Sequence, residues 1–333
     1  MKAASNYPIY TAVAVAPDGT KYNLKNVITA LIIDEPKNGI ADKVNLELRN
    51  VKVGSGYLSG ILTDDMRIFV AANDGKKNEE VFRGYIWDLP YSSYIEKTIS
   101  IKAYNNPIYL QQSKDCLYFS KGKYTDAILE TICNKWGIKL SYSYDKISHP
   151  KLPLNNKALS DMIIEVLDAV KKQKSTKYVI RSIKDVLTVL KEGTNTEVYN
   201  FVRKKSAISI KSNRSKDKLV TQVVIYGNAD DDERREIVAT VKGSNSGKHG
   251  TLQDIVTMSS GSTLAEAKQE ANEILKENGS PEQTYETEFP DVPWVHKGDL
   301  VYISAGNLVG YFIVVSVTHD AKKKTMSLEV RKK

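Results

Sequence analysis

Residues 65–71 read Asp-Met-Arg-Ile-Phe-Val-Ala, residues 84–86 Gly-Tyr-Ile and residues 97–101 Lys-Thr-Ile-Ser-Ile. Near the other end, residues 299–304 read Asp-Leu-Val-Tyr-Ile-Ser, residues 310–312 Gly-Tyr-Phe and residues 324–328 Lys-Thr-Met-Ser-Leu. Order and residue type match: a β-branched or aromatic run, a Gly-Tyr pair, then a second alternating run. Two readings fit. Any two β-meanders share this vocabulary, or the chain holds two similar barrel-like domains. The second reading sets the expected fold, which is mainly β with two similar β-barrel-like domains flanking a small α+β domain. The expected boundaries are 1–115, 116–205 and 206–333, the last domain carrying one inserted helix over 263–278.

Working outward, short β-rich runs at 10–15, 27–33, 44–48, 67–71, 81–87 and 98–103 are separated by turn signals such as Asp18-Gly19 and Asn73-Asp74-Gly75. The middle changes period. Thr125 is placed to cap a helix whose stripe is Ile128, Leu129, Ile132, Cys133 and Trp136, stopped by Gly137. Ser160 is placed to cap a second, with Ile163, Ile164, Leu167 and Val170 on its apolar side. Runs at 177–181 and 186–191 predict a hairpin, and 199–201 leads into the basic Arg203-Lys204-Lys205. Further strands are expected at 207–211, 219–226 and 236–241, then a polar loop over 243–250. Thr263 with Glu266 three residues on is a capping box for a helix carrying Leu264, Ala267, Ala271, Ile274 and Leu275, which Asn278-Gly279 stops. Runs at 300–304, 310–317 and 325–331 close the chain as a meander.

A chain of 333 residues, 41% hydrophobic and 26% charged, is ordinary for a soluble protein of two or three domains. The apolar stretch 311–315 is far shorter than the ~18 residues of a membrane helix. The N-terminus offers only Lys2 and a broken apolar patch over 10–16, so no secretory signal and no membrane insertion are expected, and the reading is cytoplasmic. Cys116 and Cys133 cannot build a disulfide framework or a four-ligand zinc site, and no cofactor is expected. The net charge of +8 is concentrated in 171–218, where fourteen Lys or Arg stand against four Asp or Glu. The chain has 39 Lys to 9 Arg, unlike a base-reading surface, where bidentate Arg is favoured. A solvated face or an acidic partner is the first reading of this segment and direct phosphate contact the second; specific nucleic-acid recognition is not expected.

Tests for chemistry return little. Gly243-Ser-Asn-Ser-Gly247-Lys248-His249 resembles a phosphate loop, but only three residues separate its glycines and His249 stands where a magnesium-binding Ser or Thr belongs. Asp230-Asp231-Asp232-Glu233 beside Arg234 and Arg235 reads as a solvated loop, because consecutive carboxylates point apart and repel. There is no Gly-x-Ser-x-Gly elbow, and His149, His249, His296 and His319 are scattered; those at 149, 296 and 319 read as structural. Glu286 and Glu288, on one alternating strand, are the best local acid pair and read as an exposed strand face. Nineteen tyrosines against six phenylalanines suit strand faces and protein interfaces alike.

Taken in order, several motifs resemble one family. They are Glu80-Val-Phe-Arg-Gly84-Tyr85-Ile, Ala103-Tyr104-Asn105 with Tyr109-Leu110, the 128–137 helix ending Ile132-Cys-Asn-Lys-Trp136-Gly137, Lys297-Gly298-Asp299-Leu-Val, Gly310-Tyr311-Phe-Ile-Val, and Val317-Thr-His319-Asp320 through Met326-Ser-Leu. The family is the baseplate hub proteins of contractile phage tails, in the branch found in defective prophages and phage-tail-like bacteriocins of Gram-positive bacteria, and the likeness runs over 27–330. The resemblance implies a homotrimer whose two barrel-like domains per subunit form a pseudo-sixfold ring. This ring is a symmetry adaptor joining the tail tube to the central spike, with baseplate wedge proteins as neighbours. It implies a non-enzymatic virion protein assembled in the bacterial cytoplasm. A cell-wall hydrolase at the tail tip, using Glu286 and Glu288 with the histidines, is the alternative. Under the resemblance, Gly84 and Gly310 permit tight entry into equivalent strands, and Tyr85 and Tyr311 fill equivalent barrel positions. The 171–218 segment, including Arg203, Lys204 and Lys205, faces a partner or the lumen, with its excess lysines expected mainly outside a DNA channel.

Overall fold

The computed structural model describes residues 7–90, 97–202, 209–228, 235–258, 262–306 and 308–333. The first matched stretch folds as three antiparallel strands, Arg67–Asn73, Asn78–Asp88 and Thr98–Tyr104; the second folds as Leu300–Ala305, Leu308–Asp320 and Thr325–Lys332. Ile68 stands opposite Gly84 in one and Ile303 opposite Gly310 in the other. Strand alternation sends Ile68, Val70, Ile86, Ile99 and Ile101 inward in the first, and Val301, Ile303, Phe312, Met326 and Leu328 in the second. The strands follow the glycine register rather than the aspartates: Ile68 lies three residues after Asp65, but Ile303 lies four after Asp299.

The two meanders share one sheet. Strand Leu308–Asp320 pairs antiparallel with Ile28–Glu35, from Val317 opposite Glu35 to Asp320 opposite Ile32. From there the order runs through Lys43–Arg49, Thr98–Tyr104, Asn78–Asp88 and Arg67–Asn73 to Ile9–Val15 and Lys21–Asn23. Each such pairing covers backbone groups that would otherwise be an exposed edge. Among the described residues the strand path has two ends, and no closed barrel is traced.

By packing, the chain divides into Met1–Lys211 with Tyr285–Lys333, and Ser212–Thr284. The reason is the continuous sheet, which ties the N-terminal and C-terminal strands together. Within the first unit three hydrophobic cores remain distinct. One gathers Leu31, Leu46, Ile68 and Ile101; one gathers Phe289, Val301, Phe312 and Leu328. The third belongs to the expected α+β region, where helices Thr125–Lys135 and Leu159–Lys174 pack Ile128, Ile132, Ile163 and Leu167 against Leu187 and Val189 of the hairpin Tyr178–Ile183 and Val186–Lys191.

The expected helix caps differ from those observed. Thr125 is the first helical residue after Tyr124, and its hydroxyl accepts from the Ile147 N–H at 3.0 Å instead of capping. Ser160 lies inside its helix because strand Leu152–Ala158 runs straight into Leu159, leaving no loop in which a cap could form. Gly137 ends the first helix at φ +65, as its position predicts.

The second unit contains the expected helix and strands near 219–226 and 236–241, with a further strand at Gln253–Thr257. Strand Gln222–Tyr226 lies between Ile237–Lys242, antiparallel, and Gln253–Thr257, parallel. Helix Leu264–Asn278 buries Ala267 and Ala271 against Val223, Ile225 and Val256. Its Thr263–Glu266 capping box forms as expected.

Candidate functional site

Among the described residues, the densest polar constellation is a buried junction around the turn His296-Lys297-Gly298-Asp299. The turn closes with the Asp299 N–H donating to the His296 carbonyl at 3.1 Å, and Gly298 holds φ +85. Side-chain space forbids anything larger there, since a Cβ on Gly298 would stand 2.5 Å from a Val179 methyl. Three parts of the first unit meet at this turn. Glu35, at the end of its strand, accepts from the Lys297 N–H at 2.8 Å and contacts His296 Nδ1 at 2.6 Å. Arg181 donates to the Lys297 carbonyl at 2.7 Å and pairs with the Asp299 carboxylate. The Lys297 ammonium donates to the Pro36 and Gly39 carbonyls at 3.1 and 3.2 Å.

Beside it, Asp291 accepts from the Tyr10 hydroxyl at 2.6 Å and contacts His319 Nδ1 at 2.6 Å. His319 Nε2 faces the Val295 carbonyl at 3.1 Å. Both partners of the imidazole are acceptors, so both ring nitrogens must donate, which requires the imidazolium. Burial depresses the His319 pKa, but the charge and hydrogen bond of Asp291, with Glu35 and the Val295 carbonyl, outweigh it and hold it raised. Burial likewise works against the Glu35 carboxylate, and the charge and hydrogen bond of His296, the charge of Arg181 and the Lys297 N–H outweigh it, so its pKa is lowered. Asp42 goes the other way: burial and the Glu35 charge push it up to about 7 against the pull of Lys297 and His296. An Asp–His–Tyr row suggests catalysis, yet His319 is 2% exposed and Asp291 is likewise sealed from solvent. The row clamps Tyr10, Asp291, His319 and the Val295 carbonyl together inside the fold.

Sequence reasoning did not assemble this cluster, although it left a signal. Glu35 continues the inward parity of Leu31 and Ile33, His319 that of Val317, and Asp291 that of Thr287 and Phe289. A charged residue at an inward position needs a buried partner.

The expected site residues do not converge. Gly84 lies mid-strand rather than at a strand entry; a Cβ there would meet the Tyr104 carbonyl oxygen at 2.2 Å. Gly310 has open space around it and is needed for φ +131. Tyr85 and Tyr311 alternate with Ile86 and Phe312, so they point away from the core rather than filling it. Tyr85 sits 4.6 Å beneath the Arg67 guanidinium and 5.4 Å from the Tyr109 ring, whereas Tyr311 is 44% exposed beside Tyr302. Arg203, Lys204 and Lys205 lie outside the described residues, as do Asp230 to Arg234. Elsewhere in 171–218, Arg181 and Lys191 are held by Asp299 and Asp145. Glu286 and Glu288 share the outward side of strand Glu282–Pro290, with Thr287 and Phe289 inward. His149 is buried against the Thr125 hydroxyl, and burial lowers its pKa. No group of three or more metal-ligating side chains occurs among the described residues, and no helix among them is long and apolar enough to cross a membrane.

Solved structures of phage tail proteins share this fold. The 43 kDa tail protein of prophage MuSo2 from Shewanella oneidensis superposes with a TM-score of 0.69 at 14% identity, covering 97% of this chain and 98% of that one. The tail protein from Neisseria meningitidis MC58 gives 0.70 at 11% identity, covering 97% and 96%. An E. coli type VI secretion component, described as structurally similar to the T4 bacteriophage tail proteins gp27 and gp5, gives 0.57 at 7% identity, covering 92% and 74%. At such identities the likeness is one of fold. Among curated proteins no sequence relative matches. The model of the YQBQ-like family matches residues 69–331, most of the chain and both meanders, and the chain belongs to that family.

Proposed function

We propose that this protein is a non-enzymatic baseplate hub subunit of a contractile phage tail or phage-tail-like particle, in the Gram-positive prophage branch. Three subunits form a ring in which two barrel-like halves of each alternate with pseudo-sixfold symmetry between the tail tube and the central spike. The observation that carries this reading is the pair of meanders with a common strand order and a common Ile–Gly register, flanking the α+β region in sequence. Two similar units in each of three copies present six similar edges, which is the geometric requirement for matching sixfold to threefold symmetry. The fold likeness to tail proteins, and to a component itself compared with gp27 and gp5, supports it. The buried clamp suits such a role, because a ring under contraction load needs its halves held rigidly within each subunit. The aromatic patch of Trp87, Tyr109 and Tyr85 is the surface we assign to a neighbouring subunit.

Mass photometry of the chain alone and mixed with its spike tests the proposal, alongside electron microscopy of the particle with this chain labelled. A trimer mass with the spike and a label between tube and spike are expected. A chain that stays monomeric with both tube and spike present, or a label elsewhere on the tail, would refute it.

A further inference from the structure

Two sequence features set aside separately, the basic 171–218 segment and the false phosphate loop, converge in the second unit. Arg214 and Lys216, from the end of strand Ser209–Ser215 and the turn after it, line one cavity of about 320 Å³ with Lys248, His249 and Pro281. The loop carrying Lys248 is pinned at several points. Thr221 accepts from the Gly243 N–H at 2.8 Å, its hydroxyl donates to the Gly250 carbonyl at 2.7 Å, and the Asn245 amide donates to the Gly279 carbonyl at 2.6 Å. The backbone that carries Lys248 and His249 is therefore held in place by the rest of the second unit. Arg214, Lys216 and Lys248 form no ion pair among the described residues, although the chain pairs many of its other cations. Partial desolvation and the charges of Lys216, Lys248 and Arg214 hold the His249 imidazole below its ordinary pKa, a second sign that the four groups face one space. Like charges gathered without an acid leave an unfilled demand for an anion. No Phe, Tyr or Trp lines the cavity, so nothing there would stack a base.

We propose that this cavity is an oxyanion site that takes the phosphate groups of a phosphate-bearing ligand, through Arg214, Lys216, Lys248 and His249. Recognition is by charge and donated hydrogen bonds to non-bridging oxygens. The ligand is either a compact free anion or a phosphodiester polymer without bases. The inference is independent of the hub reading.

The test is calorimetric titration of the full chain with inorganic pyrophosphate at low ionic strength, where screening is weak. The variants are Arg214→Glu, Lys248→Glu and, as a control of equal charge change, Lys21→Glu on an exposed strand of the first unit. Circular dichroism verifies that each variant is folded, and Lys216→Gln provides a milder second probe. The expected result is weakening of about tenfold or more for the first two, a smaller loss for Lys216→Gln, and no more than about twofold for Lys21→Glu. Equal weakening by all reversals, or no binding of pyrophosphate to the unaltered chain, would overturn the proposal. Repeating the titration with poly(glycerol phosphate) at matched phosphate concentration distinguishes the sources. Tighter polymer binding that Arg214→Glu abolishes assigns the site to a polymer, and equal or weaker polymer binding assigns it to a compact anion.

Discussion

Gly84 and Gly310 occupy matching register positions, yet the physical demand on each differs, and alanine substitution separates the two. At Gly84 a methyl group would lie 2.2 Å from the Tyr104 carbonyl oxygen and 2.7 Å from the Phe82 ring, where ordinary contact begins at 3.4 Å. Relief requires strand Asn78–Asp88 to withdraw by about 1 Å from Thr98–Tyr104, because the nearer obstacle is backbone. Weakening two ladder hydrogen bonds there costs about 2 kcal/mol, and overpacking adds about 1–3 kcal/mol, for about 3–5 kcal/mol in all. At Gly310 the space is open and only φ +131 is at issue. That strain is about 1–2 kcal/mol, offset by about 0.4–1 kcal/mol from the stiffer unfolded chain, leaving about 1 kcal/mol. In thermal melts Gly84→Ala should lower Tm by about 6–15 °C and Gly310→Ala by about 2–4 °C. Hydrogen exchange should show lost protection in 98–104 for the first variant only. Phe82→Leu in the Gly84→Ala background should recover less than half the loss, since it leaves the carbonyl in place. Equal shifts for the two glycines, or undiminished protection across 98–104 in Gly84→Ala, would refute the steric argument.

Three further outcomes follow from the buried groups. His319→Gln removes the charged partner of Asp291 and should destabilise the first unit by about 3–5 kcal/mol in urea unfolding at pH 6. Because the folded His319 pKa is raised, its stabilisation is full below the unfolded value of about 6.5 and is lost as pH rises through the folded value, so the variant's deficit should shrink at high pH. Asp42 is the opposite kind of group: its carboxyl is raised to about 7, so native stability should fall as pH climbs from about 4 to 7, and Asp42→Asn should be more stable than the parent at pH 8 by about 1–3 kcal/mol while matching it near pH 4. Burial pushes the Cys133 thiol up to about 12 and leaves it 0% exposed, so a thiol reagent under native conditions should label Cys116 alone; one denaturant-independent equivalent is the expected count, and two would contradict the burial.

Much of the local structure was legible in residue order because local structure obeys short periods. The stripe Ile128, Leu129, Ile132 and Cys133 lies on one helical face and is buried as a set. The Thr263–Glu266 box forms because both its hydrogen bonds span three residues. The hairpin around Lys184 and Asp185 turns as its strands predict, those two residues adopting φ +50 and +67. Thr125 and Ser160 misled for the same reason that capping is a local rule: a hydroxyl near a helix start binds whichever backbone group tertiary packing brings closest, and for Thr125 that was Ile147.

By itself the sequence determined many of the strands and helices, which side of each is apolar, and that two of its meanders are alike, but not the strands Lys114–Phe119, Leu152–Ala158 and Gln253–Thr257. These properties depend on neighbours within a few residues. Only the tertiary structure decided that the meanders join through Val317 and Glu35, that Glu35 meets His296 and Lys297, that Asp291 meets Tyr10 and His319, and that Arg214 faces Lys248. Sheet register and core packing choose those partners, and chain separation carries no information about either. The alternation of a strand can announce that Glu35 must be buried beside a cation, but not which cation will come to it.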